Sequence, residues 1–409
     1  MGGWMKINGL NIAVVGAGTA GPAAAVLLAR AGHRVRLFER APLNLPVGAG
    51  FLLQPTGMRV LQTMGLLDGL LPDTAVIRRL HCLDRGGRAL LDLNYGEVDA
   101  AMFGAGTHRA TLLAVLLRAA GEAGVEVLWD HAMTGLRRGG DGRASLIDAR
   151  GREHGPFDLV LICDGAQSAL RAQAGIACRV DRYPWGALWF IGRRTAAFAG
   201  DTLWQRVGST RELAGFLPTG REALSFFWSM RLDEVPAWRA GNLDTWKSQV
   251  MRHAPQAEEF LGQITEHGQM AVAAYHDVRM KQWHGERVAV LGDAGHALSP
   301  QLGQGVNLAL MDAAALARAL AEAETLEGGL AAYSRARRRH LGYYQFATRW
   351  LTPFFQSDAT GLGVLRDGLF PWAGKVPWVR RQMILTMAGL KTGFVGEAPA
   401  NVQHPTSNA

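Results

Sequence analysis

The feature that most restricts the fold of this chain is a glycine turn held between two apolar segments. The run Asn11-Ile12-Ala13-Val14-Val15 is short and apolar after its first residue, as a parallel strand buried on both faces must be. Gly16-Ala17-Gly18-Thr19-Ala20-Gly21 follows, and Ala20 to Ala31 reads as a helix stopped by Gly32. Val35 to Phe38 reads as a second strand, ending at Glu39. Together they make a strand–turn–helix–strand unit of about 30 residues. Glycines at 16, 18 and 21 let the backbone approach a pyrophosphate, whose charge the positive end of the helix favours. A carboxylate at Glu39 can accept hydrogen bonds from ribose hydroxyls. Alone, the unit indicates a dinucleotide and nothing narrower.

A second glycine segment narrows it. Val288-Ala289-Val290-Leu291 reads as another strand, followed by Gly292-Asp293-Ala294-Gly295-His296 and, past Pro300, by Gly303-Gln304-Gly305. A carboxylate at a strand end, Asp293, suits a second polyol, such as the ribityl chain of a flavin. The helix opening at Gly305 would turn its positive end to the flavin's N1–C2=O edge, where negative charge gathers on reduction. The cofactor indicated is FAD.

Leu112 to Ala123 has helical periodicity, Val125 to Trp129 and Asp158 to Cys163 read as strands, and Gly305 to Leu320 is a long Ala-rich helix. Strand and helix alternate, as a doubly wound sheet requires. The segments Trp185–Gly192, Thr202–Val207, Leu213–Leu217 and Ala223–Met230 are instead short and rich in aromatic and β-branched residues, and residues 76–95 are similar. The expected architecture is α/β: a Rossmann-like FAD-binding domain with an inserted antiparallel-sheet substrate domain and C-terminal helices. Its expected divisions are residues 1–75, 101–177 and 281–325 for the first, 76–100 and 178–280 for the second, and 326–409 for the helical region. Only the last ten or so residues read as disordered.

At 409 residues the chain is long enough for about two or three domains. The net charge of +8 is carried almost wholly by Arg, and no dense basic run interleaves with aromatics, so no nucleic-acid partner is expected. The cluster Arg335, Arg337, Arg338 and Arg339 reads as a solvated helix face. Cys82, Cys163 and Cys178 are too few and scattered for a disulfide framework or a metal site, which points to a reducing cytoplasm. Met1 to Lys6 has no apolar stretch of the signal-peptide kind, and no run is long enough for a spanning helix.

Three motifs in order resemble the single-component, flavin-dependent aromatic hydroxylases, the group A flavoprotein monooxygenases of the para-hydroxybenzoate hydroxylase fold. They are Gly16–Gly21 with Glu39, then Cys163-Asp164-Gly165-Ala166-Gln167-Ser168-Ala169-Leu170-Arg171, then Gly292–His296 through Pro300 to Gly303-Gln304-Gly305-Val306-Asn307. His108-Arg109-Ala110-Thr111-Leu112 is similar to the family segment whose Arg contacts the FAD pyrophosphate. The resemblance implies that Asp164 and Gly165 serve both FAD and passing NAD(P)H, and that Gly292 and Asp293 hold the ribityl arm. It places Gln54 beside the isoalloxazine and a Pro300 carbonyl beside the reacting ring. The implied cofactor shell is Gly16, Gly18, Ala20, Gly21, Glu39, Arg40, Gln54, Arg109, Asp164, Asp293, Pro300, Gly303, Gly305, Val306 and Asn307, with Pro300 and Gln304 at the reacting centre and no metal. The implied reaction uses NAD(P)H and O₂ to insert one oxygen into a phenol-like or heteroaromatic substrate through a flavin C4a-hydroperoxide. The same cofactor chemistry serves Baeyer–Villiger oxidation, epoxidation and N-oxygenation. An O₂-independent flavin reductase and a non-catalytic accessory flavoprotein stand as other classes. A halogenase is disfavoured because no Trp-x-Trp-x-Ile-Pro segment occurs.

No short motif encodes a substrate base. His276 beside Tyr275, His81 and Tyr95 are candidates by residue type, each read more readily as structural, and His296 reads as ordering its own loop. Trp185, Trp189, Phe190, Trp204, Phe216, Phe226, Phe227 and Trp228 read equally well as an aromatic pocket or a sheet core. Val376, Val379, Met383, Ile384 and Met387, with Arg380, Arg381 and Lys391 nearby, read first as a helix closing the pocket or packing on a partner and second as a basic helix on a membrane surface. Monomer and homodimer are both open.

Overall fold

A computed structural model describes residue 7, residues 9–42 and residues 49–397. The extreme N-terminal segment and the C-terminal tail read above as disordered lie outside the described residues. Asn11–Val15 is the centre of a six-stranded sheet ordered His284–Gly285, Val288–Val290, Leu159–Ile162, Asn11–Val15, Arg34–Phe38 and Glu126–Leu128. All its pairings are parallel except the short first hairpin. Its central strands are buried on both faces, packed by helices and by the antiparallel strand Glu153–Phe157, whose Phe157 ring meets Phe38 at 6.1 Å. Helix Ala20–Arg30 packs against helices Gly305–Glu322 and Arg109–Glu122. Gly32 takes φ 90°, which ends the first helix without strain.

Two small antiparallel sheets flank this layer: Gly50–Leu53, Gly104–His108 and Ala75–Ile77 in one, Met133–Arg138, Ala144–Asp148 and Glu153–Phe157 in the other. The second is absent from the sequence reading, because its strands are polar and Gly-interrupted and show no clear apolar alternation.

The aromatic segments form a seven-stranded sheet ordered Ala271–Met280, Cys178–Arg193, Ala223–Arg231, Leu213–Pro218, Thr202–Val207, Arg79–Leu83 and Ala89–Asn94. Two expectations need correction. The pairing of Thr202–Val207 with Arg79–Leu83 is parallel. Residues 178–280 are not sheet throughout, since Val235–Ala240, Leu243–Met251 and Glu258–Leu261 are helices. Leu243, Trp246 and Val250 carry a helical period there, which the aromatic content of the segment masks.

The C-terminal region is helical, with Leu326–Phe355, Thr360–Ala373 and Pro377–Met387. The expected solvated arginine face is corrected at one position: Arg337 is buried, while Arg335, Arg338 and Arg339 are exposed. Among the described residues no helix is long and apolar enough to cross a membrane.

Candidate cofactor and substrate site

Four parallel strands end on the same edge of the six-stranded sheet, so the residues that follow them converge there: Gly16, Glu39, Asp164 and Gly292-Asp293. The carboxyl edge of such a sheet is where ligands bind. Gly16 takes φ 105°, and a Cβ there would lie 2.4 Å from the Cys163 carbonyl oxygen. A Cβ at Gly21 would lie 1.9 Å from the Gly16 carbonyl oxygen. The protein itself therefore demands these two glycines. Gly18 differs: a Cβ there meets nothing within 4 Å, so its requirement comes from outside the protein. Helix Ala20–Arg30 begins without a side-chain cap or an acidic residue, leaving its first N–H groups for an anion. Ala20 is buried in that first turn. The Glu39 carboxylate accepts from the N–H groups of Ala17 at 2.6 Å and Ala41 at 2.9 Å, which fixes the glycine turn beside it. Arg40 is exposed next to it.

Asp164 follows the strand Leu159–Ile162. Its Oδ2 accepts from the Ala169 N–H at 3.0 Å, whereas Oδ1 is buried with no hydrogen-bond partner among the described residues. Burial holds its carboxyl above the ordinary carboxylate range. An orphaned buried carboxylate oxygen is costly, and a ligand hydroxyl or amide would satisfy it. Arg171 donates to the carbonyls of Ala294 at 2.8 Å and Ala166 at 3.1 Å, and so ties the Asp164 loop to the Asp293 loop.

Asp293 is exposed and its carboxylate bonds to no described residue, because other groups hold its loop. The buried Asp312 does this. Its Oδ2 accepts from the Gly292 N–H at 2.8 Å and lies 2.5 Å from His296 Nε2, and its Oδ1 accepts from Arg337 Nε at 2.7 Å. Burial pushes the Asp312 carboxyl up, but His296 and Arg337 outweigh it and bring it down to about 2. Arg337 also reaches His340 Nδ1 at 3.2 Å, and His340 Nε2 lies 3.0 Å from the Gly389 carbonyl. Burial, with Arg337 second, lowers His340 to about 3, so its ring is neutral, accepting from Arg337 and donating to Gly389. His296 thus orders its loop, as its place in the motif indicates. Asp312, Arg337 and His340 were not singled out. The available signal was an Asp on the apolar stripe of helix Gly305–Glu322, four residues after Leu308 and four before Leu316.

Gln54 and Asn307 are buried together. The Gln54 N–H donates to Asn307 Oδ1 at 2.8 Å, and Asn307 Nδ2 donates to the carbonyls of Leu52 and Gly303, each at 3.2 Å. Asn307 therefore spends its side chain on positioning the strand Gly50–Leu53 against the Gly303 loop. Tyr95 donates its hydroxyl to Gln54 Oε1 and is fully buried, which makes it a lock on Gln54. Pro300 opens a short turn in which its carbonyl accepts from the Gly303 N–H at 2.9 Å. Gly303 takes φ 61° with nothing within 4 Å of a Cβ, and a Cβ at Gly305 would meet only Asp293 Oδ1, at 3.8 Å. Val306 follows in the first turn of helix Gly305–Glu322, whose start has no side-chain cap. Gln304, expected at the reacting centre, is buried beside the Gly303 loop, with its Oε1 unpartnered among the described residues. Its Nε2 donates to the Met387 carbonyl at 2.7 Å, turning the amide to the C-terminal helix. Arg109 opens helix Arg109–Glu122, which His108 caps through Nδ1 at 3.2 Å from the Ala110 N–H. It is exposed and has no ion-pair partner among the described residues.

Strand register divides the aromatics. Trp204, Phe216, Phe226 and Phe190 share one rung, and with Trp228 they join the core under the helices Val235–Leu261. Gln205, Gly215, Phe227 and Trp189 share the next rung on the opposite face. That face turns to the glycine loops: Ser225 Oγ accepts from the Gly50 N–H at 3.3 Å, and Gln356 joins Gln301 at 3.0 Å to Ser229 at 3.0 Å. Trp189 and Phe227 lie 5.1 Å apart, and Trp189 Nε1 reaches the Tyr275 hydroxyl at 3.4 Å. His81 lies 3.3 Å from Asp92 and edge-on to Trp204, off the Trp189 rung. Burial and then Arg182 and Arg171 lower His276, while Asp293 acts on it in the opposite sense.

Residues 10–342 match the family model described as FAD binding domain. The chain is 32% identical over 363 residues to a kynurenine 3-monooxygenase of Salinispora arenicola, covering 81% of this chain and 76% of that protein. It is 28% identical over 334 residues to a probable 2-heptyl-3-hydroxy-4(1H)-quinolone synthase of Rhodococcus erythropolis, covering 80% and 84%. Among solved structures, PqsL of P. aeruginosa in complex with 2-aminobenzoylacetate superposes with a TM-score of 0.77 at 27% identity, covering 88% of this chain and all of that one.

Proposed function

The chain belongs to the FAD-binding flavoprotein monooxygenases, and from that premise we propose that it uses NAD(P)H and O₂ to place one oxygen atom on an aromatic ring held between the Pro300 turn and the Trp189–Phe227 face. The observation that carries the reading is a set of groups at one sheet edge left unsatisfied by the described residues: Asp164 Oδ1 buried without a donor, the Asp293 carboxylate with no hydrogen-bond partner, and two helices that begin without a side-chain cap. They fit the parts of FAD. In this reading the Gly16–Gly21 turn, the start of helix Ala20–Arg30 and Arg109 hold the pyrophosphate, and Glu39 takes the ribose. Asp293 takes the ribityl hydroxyls, and the start of helix Gly305–Glu322 faces the ring's polar edge. FAD, reduced by NAD(P)H, supplies the activation of O₂.

The protein's part is to bind, orient and keep out water. Trp189 and Phe227 offer flat apolar surface to a ring, and Tyr275 presents its hydroxyl beside them. Burial raises the Tyr275 phenol well above its ordinary value, so it stays protonated and acts as a hydrogen-bonding group. The names of the relatives share a nitrogen-bearing aromatic, and an aniline- or quinolone-like substrate is the class we assign.

Purified holoenzyme with such compounds is expected to show substrate-stimulated NAD(P)H oxidation matched by O₂ uptake, with one atom of ¹⁸O₂ in the product. Stimulated oxidation without O₂ uptake would replace the monooxygenase reading with a reductase. Asp293→Ala is expected to weaken FAD binding about tenfold or more, as loss of a charged hydrogen-bonding partner does. Full FAD occupancy in that variant would overturn the ribityl assignment.

A further inference from the structure

Apart from Val76 and Val180, every exposed large hydrophobic among the described residues falls between Phe346 and Val395. The densest group is on helix Thr360–Ala373. Beyond Thr360 its exposed positions are Gly361, Val364, Leu365, Gly368, Leu369 and Trp372. They recur at i, i+3, i+4, i+7, i+8 and i+11, the spacing of one helix face. Val364 is 77% exposed and Trp372 64%. The opposite face buries Arg366 completely, where it donates to the Phe354 carbonyl at 2.9 Å and pairs with Asp367 at 2.7 Å. The helix thus buries Phe370 and the charged Arg366 on its inner face and leaves a second apolar stripe outward.

The exposed charge flanking that face is mainly positive. Lys375 and Trp378 are exposed just beyond Trp372. Arg335, Arg338 and Arg339 are exposed on the preceding helix, which also exposes Phe346 and Trp350. None of these four cations has an ion-pair partner among the described residues. Of the acids nearby, Glu97 is engaged with Arg380, Asp358 with Arg211 and Arg231, Asp367 with Arg366 and Glu397 with Arg381, while Glu324 and Glu327, at the start of the preceding helix, are exposed without an ion-pair partner among the described residues. The uncompensated balance is positive, four cations against two acids, on a chain of net charge +8.

We propose that helix Thr360–Ala373 docks in the plane of an anionic lipid bilayer. Val364, Leu365 and Leu369 would enter the acyl boundary. Trp372 and Trp378 would lie at headgroup level, where an amphipathic indole is favoured, and Lys375 with the arginines would meet the lipid phosphates. A helix of 14 residues spans about 21 Å, too short to cross the hydrocarbon core, so it lies flat. Helix Pro377–Met387, the basic stripe open to this role from sequence, packs inward instead. Ile384 and Met387 are buried, and Lys391 is held by Gln382 at 2.5 Å.

The docking helix also backs onto the substrate side. Phe370 packs with Phe354, Phe355, Cys82 and Leu213, in the cluster that reaches Phe227. On the reading of that site given above, docking sets the aromatic pocket beside the lipid and favours a lipophilic substrate. The docking itself does not depend on that reading.

The test is co-sedimentation of the FAD-loaded protein with phosphatidylcholine vesicles, with and without phosphatidylglycerol, at low and high salt. Wild type is expected to bind the anionic vesicles, to bind neutral ones far less, and to be released by salt. Leu369→Glu and Trp372→Glu alter side chains that already face water, so they should keep the flavin spectrum and melting temperature while binding at least about tenfold more weakly. Wild type that ignores anionic vesicles, or variants that bind as well as wild type, would overturn the proposal. A light-scattering mass of a dimer that Trp372→Glu splits, without vesicle binding, would overturn it in favour of a second copy.

Discussion

A methyl group distinguishes the two kinds of glycine in the first turn. At Gly16 it would press on the Cys163 carbonyl at 2.4 Å and sit at φ 105°, while at Gly18 it would enter open space. Gly16→Ala is therefore expected to cost roughly 1–3 kcal/mol of folding stability. Gly18→Ala should change apo stability by no more than about 0.5 kcal/mol yet weaken FAD binding. Urea unfolding of apoprotein beside FAD titration separates them, and equal destabilisation by both would refute the distinction. Asp312 gives the acid response. Its folded pKa of about 2 lies below the ordinary 3.8, so the stability it contributes is complete above 3.8 and is lost as pH falls from there toward about 2. Asp312→Asn should flatten that interval of the stability curve. Asp312→Ala should cost about 3–5 kcal/mol, because Arg337 would remain buried and unpaired.

Elements were legible where period and punctuation agree. Helix Ala20–Arg30, its stop at Gly32 and the start of helix Gly305–Glu322 fall where Ala runs meet glycines. The direction of a side chain leaving such an element was not legible. Gln304 lies inside a flavin motif by spacing, yet a carbonyl 83 residues later claims its amide. Gln304→Ala is expected to speed hydrogen exchange across Pro377–Met387, with local stability down by about 1 kcal/mol and FAD affinity little changed. Lost FAD affinity with unaltered exchange would return Gln304 to the flavin ring.

Across the whole molecule, the seven-stranded sheet assigns neighbouring aromatics to opposite tasks. Phe216 stacks on Phe198 at 4.4 Å within the core under the helices, whereas Phe227 faces Trp189 on the side of the glycine loops. Phe216→Ala should cost about 3–5 kcal/mol, while Phe227→Ala should cost less and act mainly on substrate KM. Thermal unfolding paired with steady-state kinetics checks this, and a reversed pattern would mean that the faces are wrongly assigned.

By itself the sequence determined the backbone-level features: a glycine turn after a buried strand, acids at strand ends, and the order of motifs that marks an FAD-binding flavoprotein. These are local requirements, because a missing Cβ or a strand-end carboxylate acts within a few residues of chain. Only the tertiary structure decided that Asp312 braces the Asp293 loop, that Tyr95 locks Gln54, and that five of the eight aromatics belong to the core. It also decided that the helix Thr360–Ala373, rather than its basic neighbour, turns its apolar face to the outside. Those outcomes depend on which face of an element meets which other element. That choice is made by packing between residues far apart in the chain, and no local pattern carries it.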